Sequence, residues 1–289
     1  MLKPMRLPAQ LLQRKVKSHK GDYGHILILA GSLRFSGAAL LCAESALRAG
    51  AGLVTLGIPK GINLPVIKNK LKEVMILPLP ETKEGTLSLT AFNKINHFLK
   101  NVDVLIIGPG LGKNRSTYAL VRKIIRKINL PTVIDADALN ALNNYLNILK
   151  THKGKLILTP HPMEMSRLFS IDIDFIKKNR KLIAKKYAKH YNNTIILKGH
   201  NSVVTDGSRN LYINKTGNPG MASAGSGDVL SGIAGAFLSQ GLDTFRAAKY
   251  ATYIHGLAGD LAAKYKTQMG LIASDIINRI PDALKKSSW

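Results

Sequence analysis

The sequence predicts an α/β protein with a largely parallel central sheet flanked by helices. Residues 25–30 (HILILA), 53–58 and 102–107 are short, almost continuous apolar runs, as expected of strands covered on both faces. A helix-like stretch at 38–49 separates the first two, so strand, helix and strand make one βαβ unit. Glycine-rich turns follow the first and third runs, at the carboxyl ends where open parallel sheets hold their ligands.

The elements follow in order. The helix at 38–49 carries Ala38, Ala39, Cys42, Ala43, Ala46 and Ala49 at helical spacing. Such small side chains allow close approach, for packing in most cases and for ligand contact in a few. Gly50 and Gly52 end it before the strand at 53–58. Residues 60–89 are less regular, with a strand at 74–77 ahead of two prolines. The strand at 102–107 ends in Gly108-Pro109-Gly110-Leu111-Gly112, a tight turn or a ligand loop. A helix with a basic outer face follows at 116–128.

The strand at 132–134 leads into Asp135, Asp137 and Asn140. The two acids could assist a metal or brace neighbouring loops, and Asp137 could equally cap the next helix. After a strand at 156–158, prolines fix Thr159-Pro160-His161-Pro162-Met163-Glu164 and an acid enters the first turn of a helix. Residues 173–191 read as one amphipathic helix with its lysines on a solvated face. Short strands at 194–197, 202–205 and 211–213 form hairpins, and helices at 244–264 and 274–280 close the chain.

Residues 218–241, NPGMASAGSGDVLSGIAGAFLSQG, are a glycine-rich turn feeding a buried helix. Gly225, Ser226 and Gly227 can direct amides at one concavity, and the positive end of the helix dipole favours an anion there. Asp228 follows at once. A carboxylate beside a bound anion opposes binding but suits catalysis, where it takes the proton of a hydroxyl that attacks phosphorus. Helix capping is the alternative use of Asp228.

Composition narrows the classes. With 45% hydrophobic and 20% charged residues, the 289-residue chain can build a sizeable core, and no linker splits it, so one domain over 1–289 is expected. Cys42 is the only cysteine, which removes disulfide frameworks and cysteine metal sites and fits a reducing, cytoplasmic setting. No apolar run reaches the ~18 residues of a membrane span. The N-terminus is basic and free of acid before Asp22, a feature that targeting segments share. The net charge of +25 makes a positive field that suits anionic partners. Its lysines and arginines are dispersed, Lys68, Lys70 and Lys72 among them, and aromatics do not alternate with them as in nucleic-acid platforms. A basic nucleic-acid-binding protein is therefore the non-enzyme alternative.

There is no Walker loop, no zinc-hydrolase spacing and no G-x-S-x-G. What the chain resembles is carried by HKGDYGHILILAGS (19–32), GAALLCAESALRAGAGLV (37–54), GPGLG (108–112), DADALN (135–140), LTPHPMEMSRL (158–168), LKG (197–199) and TGNPGMASAGSGDVLSG (216–232). In this order they resemble the ADP-dependent (S)-NAD(P)H-hydrate dehydratases of the ribokinase-like superfamily, over nearly the whole chain.

The resemblance implies a ribokinase-like three-layer sandwich and a repair reaction, in which ADP phosphorylates the C6 hydroxyl of hydrated NADH or NADPH (NADHX, NADPHX) and phosphate is then eliminated. It makes Asp228 the base and the amides of Gly225, Ser226 and Gly227 the stabilisers of the transferring group. It places Ala38, Gly110, His161 and Asp228 at the hydrate, and Lys198, Gly199, His200, Asn201, Ser202 and Gly227 at the nucleotide, ADP or else ATP. It implies Mg²⁺, with Glu164 holding it through water. It also implies a homo-oligomer, a tetramer, with a separate NAD(P)HX epimerase supplying the correct epimer, because no fused epimerase domain is read here. Ala224 stands where the family often has glycine. A small-alcohol kinase, similar to hydroxyethylthiazole kinase, is the competing enzyme reading on shared sites.

Overall fold

The computed structural model describes residues 5–62 and 69–288. The first four residues of the basic N-terminal stretch, Lys68 and part of the irregular region 60–89 lie outside them.

Nine strands join one sheet: β1 (His25–Leu29), β2 (Leu53–Pro59), β3 (Met75–Leu79), β4 (Val104–Ile107), β5 (Thr132–Ile134), β6 (Leu156–Leu158), β7 (Thr194–Leu197), β8 (Val203–Thr205) and β9 (Leu211–Ile213). Their order is β3-β2-β1-β4-β5-β6-β7-β8-β9. Pairing is parallel from β3 through β7 and antiparallel for β8 and β9. The order reverses between β1 and β4, so a crevice opens there at the carboxyl ends.

The apolar runs are continuous because both faces are covered. Ile26, Ile28, Val104 and Ile106 point to one core, shared with the helices Ser36–Arg48, Ser226–Ser239 and Thr244–Lys266. Leu27, Leu29, Leu105 and Ile107 point to the other, shared with Arg115–Lys127, Pro162–Phe169 and Arg180–Tyr191. Alternation of side chains across a strand requires two apolar layers. Ala39, Cys42, Ala43 and Ala46 are fully buried, and a Cβ on Gly232 of the facing helix would collide with Ser45 and the Cys42 carbonyl. The small-residue stripe is thus a close helix–helix contact.

Some boundaries differ from the sequence expectation. β3 runs to Leu79 through Pro78, which an edge strand tolerates because β3 pairs only with β2. The stretch 173–191 is two helices, Ile173–Lys178 and Arg180–Tyr191, broken at Asn179 (φ −122°, ψ 33°), whose side-chain amide donates to the Phe175 carbonyl. Helices Phe92–Phe98 and Ile280–Lys286 had no clear sequence signal. Among the described residues no helix is long and apolar enough to cross a membrane.

Candidate active site

The carboxyl ends of the parallel strands deliver the chemistry to one edge. β5 leads into Asp135, β6 into Thr159-Pro160-His161, and β7 into Lys198 and Gly199. Lys198 Nζ donates to Asp135 Oδ1 at 2.7 Å and lies 3.5 Å from Glu164 Oε2. Ser231 Oγ donates to Asp135 Oδ2 at 2.8 Å. Burial alone would raise the Asp135 carboxyl, but the Lys198 ammonium and the hydroxyls of Thr159 and Ser231 hold it below the usual range. Burial would likewise lower Lys198, and Asp135 and Glu164 reverse this, so the ammonium stays charged.

His161 and Glu164 form a capping box at the start of Pro162–Phe169. The His161 N–H donates to Glu164 Oε2 (2.8 Å) and the Glu164 N–H donates to His161 Nδ1 (3.2 Å). Burial, foremost, raises the Glu164 carboxyl and lowers the His161 imidazole. Glu164 already accepts from the His161 amide and faces Lys198, so it is a poor direct metal ligand. Among the described residues no cluster of three or more His, Cys, Asp or Glu side chains could enclose a metal ion. Asp135, Glu164 and Asp228 are instead gathered around the Lys198 ammonium, so a cation here would need further oxygens from substrate phosphates and water.

Gly225 starts the helix Ser226–Ser239 in the left-handed region (φ +87°). Its turn delivers Ser226 N–H to the Ser223 carbonyl at 3.4 Å, leaving the Gly227 and Asp228 amides without a protein partner among the described residues. The Gly225 amide likewise has no protein partner among the described residues, while the Ser226 amide is taken up by Ser223. Asp228 makes no side-chain cap at this helix. Burial, foremost, and the neighbouring Asp135 raise its carboxyl to about 7, with Glu164 and Asp137 adding and Lys198 opposing.

A cavity of about 660 Å³ opens beside this turn. Its wall includes Lys198, Gly199, His200, Asn201, Ser202 and Gly227, which is every residue placed at the nucleotide by sequence, together with His161. Ala38 and Gly110 lie off this wall but beside each other, since a Cβ on Gly110 (φ +63°) would stand 2.9 Å from Ala38 Cβ. His161 thus shares a cavity wall with residues 198–202 and Gly227. The glycine-rich turn touches both places: a Cβ on Gly227 would lie 3.4 Å from Lys198 Nζ, while Gly225 packs on Leu41 of the helix that carries Ala38. Asp137 is not the cap of its helix. Its Oδ2 accepts from the Gly112 N–H at 2.9 Å and braces the Gly-Pro-Gly turn.

Sequence reasoning missed several wall residues, among them Asn214, Thr216, Asn218 and His255. His255 Nε2 is 3.2 Å from Ser226 Oγ, and burial pushes its imidazole down to about 4, so it is neutral at pH 7. A histidine inside an Ala/Gly-rich helix carried no spacing signal. Asn214-x-Thr216-Gly217-Asn218 was a readable polar loop.

A family model described as NAD(P)H-hydrate dehydratase matches residues 26–282. The bifunctional NAD(P)H-hydrate repair enzyme Nnr of Moorella thermoacetica is 43% identical over 277 residues, 96% of this chain and 52% of that protein. The chain thus spans about half the length of the first curated relatives it matches. The ADP-dependent (S)-NAD(P)H-hydrate dehydratase of Neisseria meningitidis serogroup B is 33% identical over 94% of this chain and 88% of its own length. Among solved structures, the ADP/ATP-dependent NAD(P)H-hydrate dehydratase of Bacillus subtilis, co-crystallized with ATP/Mg²⁺, superposes with a TM-score of 0.83 at 28% identity, covering 99% of this chain and 100% of that one.

Proposed function

Because the chain belongs to the NAD(P)H-hydrate dehydratase family and has its ribokinase-like fold, we propose that it is an ADP-dependent hydro-lyase restoring NADH or NADPH from the (6S)-hydrates. The observation that carries this is the glycine-rich turn. It connects the cavity lined by residues 198–202 to the Ala38–Gly110 corner and holds Asp228, raised to about 7, in the helix's first turn.

In this reading the nucleotide fills the cavity and the hydrate lies toward Ala38 and Gly110. Asp228 accepts the proton of the C6 hydroxyl as its oxygen bonds to the β-phosphorus of ADP, and the bond to the α–β bridging oxygen breaks to release AMP. The Gly227 and Asp228 amides face the negative charge that spreads over the phosphoryl oxygens, and the Lys198 ammonium meets the nucleotide phosphates in ground and transition states alike. Phosphate then leaves C6 as a proton leaves C5, which restores the dihydropyridine. Mg²⁺ would add neutralisation of phosphate charge, and Glu164 would hold it through water. Asp135 and Ser231 keep Lys198 in place. ATP fits the same chemistry as donor.

The family match and the relatives' activities favour dehydration over a small-alcohol kinase, a reading that shared fold and base alone would not separate. We further read residues 1–289 as one dehydratase domain, acting in the cytoplasm as a homotetramer and paired with a separate epimerase.

The test mixes the protein with chemically prepared NADHX, Mg²⁺ and either ADP or ATP, and follows the near-ultraviolet band of the restored dihydropyridine. A rise that requires ADP, and is absent in Asp228→Asn, supports the reaction and its base. No rise with either donor in folded protein would point to the kinase and a screen of small alcohols.

A further inference from the structure

Arg180 lies within the basic stretch 173–191, but its side chain is taken up by a neighbouring loop. As the first residue of Arg180–Tyr191 it reaches under the hairpin that joins β7 to β8. Its Nη2 donates to the Leu197 carbonyl (2.9 Å) and the Lys198 carbonyl (3.1 Å), and its Nη1 donates to the His200 carbonyl. A Cβ on Gly199 (φ +131°) would lie 3.2 Å from Nη2, so the loop rests directly on the guanidinium. The groove around it is lined by Lys177, Lys178, Lys181 and Lys215, and its partners are carbonyl dipoles rather than acids. The Nε is buried without a partner among the described residues, a penalty offset by the carbonyl contacts.

This arrangement has a geometric consequence. In a trans peptide the carbonyl of one residue and the N–H of the next point in opposite directions, and this chain has no cis peptide among its described residues. Drawing the Lys198 and His200 carbonyls toward Arg180 turns the N–H groups of Gly199 and Asn201 away from it. Neither amide has a protein partner among the described residues, and both residues line the cavity. Asn201 holds the left-handed conformation (φ +53°), which the clamp on the His200 carbonyl helps maintain.

We propose that Arg180 is a positioning residue for nucleotide binding: by gathering the carbonyls of the 198–202 loop on its far side, it presents the Gly199 and Asn201 amides to anionic oxygens of the nucleoside diphosphate. This rests on the function proposed above. Carbonyl oxygens turned into the cavity would repel phosphate, and amides attract it. Lysine cannot replace the arginine, because one ammonium lacks the planar fork that spans three carbonyls.

The test measures ADP affinity by calorimetry for the parent, Arg180→Ala and Arg180→Lys, alongside steady-state kinetics. Both variants should bind ADP roughly tenfold or more weakly, while kcat at saturating ADP and KM for the hydrate stay within about threefold. A merely structural role would weaken both substrates alike, and that result overturns the proposal, as does unchanged ADP affinity in either folded variant. In the ¹⁵N-labelled parent, ADP should shift the Gly199 and Asn201 amide resonances, and unmoved resonances would overturn it without any variant. A parent with no affinity for ADP would sink the proposed function itself and this inference with it.

Discussion

Lys198 Nζ lies 2.7 Å from Asp135 Oδ1, although 63 residues separate the two in the chain. They come from the carboxyl ends of β7 and β5, with β6 between them. Lys198 lines the cavity of about 660 Å³, and Gly227 faces the pair. Asp135 is 1% exposed at its side chain and Lys198 17%, so the carboxylate has no bulk water as an alternative partner.

Lys198→Ala should therefore destabilise the fold by roughly 3 kcal/mol, because it strands a buried carboxylate. Adding Asp135→Asn should recover part of the loss, since the neutral amide no longer needs a counter-ion. Denaturant melts of the two single variants and the double close the cycle. Additive losses would show that the pair is not coupled. In the same Lys198→Ala protein, ADP affinity should fall more than kcat at saturation.

Asp228→Asn should lower kcat by about 10² to 10⁴-fold while ADP binds within roughly threefold of the parent, because the base is removed and the amides remain. Single-turnover kinetics with calorimetry separates the two. Retained turnover would remove Asp228 from the mechanism.

The pH dependence has a defined sign. Asp228 must be ionised to accept a proton, and its carboxyl is raised to about 7, so the rate should fall as pH drops through about 7. Asp135→Asn removes a charge that raises Asp228 and should move this acid limb to lower pH. An unmoved limb would mean that another group titrates.

Stability carries the opposite signature. A carboxyl raised in the fold contributes stability below its unfolded value, near 4, and loses it as pH rises through about 7. Asp228→Asn should thus be more stable than the parent at pH 8, by on the order of 1–3 kcal/mol, and the advantage should shrink toward pH 4. Melting temperatures across that range would test it. A pH-independent difference would assign the effect to packing instead.

Gly227→Ala should keep or slightly raise stability, by up to ~1 kcal/mol of helix propensity, since its Cβ meets only Lys198 Nζ at 3.4 Å and Asp135 Oδ2 at 4.0 Å. The methyl group would nonetheless stand where the phosphate approaches. ADP affinity should fall, and an unchanged affinity would move the anion away from this turn.

Much of the frame was legible in the chain. The runs that became β5, β6, β7 and β9 were read to the residue, because buried parallel strands and hairpins bounded by turn residues leave an unbroken local signal. Phe92–Phe98 escaped, being only seven residues with Ile95 as its one buried side chain. Arg180 escaped for a different reason. Helical spacing cannot tell a lysine in water from an arginine under a loop, and Asn179 had reset the helix one residue earlier.

By itself the sequence determined the two-faced sheet, the glycine-rich turn with Asp228 in its first turn, and the polar residues at strand ends, because each is a local matter of periodicity, backbone freedom or capping. The tertiary structure alone decided which of them meet. Strand order set Lys198 beside Asp135 and grouped His161 with the nucleotide residues. It also placed Asp228 where burial and neighbouring carboxylates raise its proton affinity. Charge–charge energies and desolvation depend on distances through space, and a linear chain does not contain those distances until it folds.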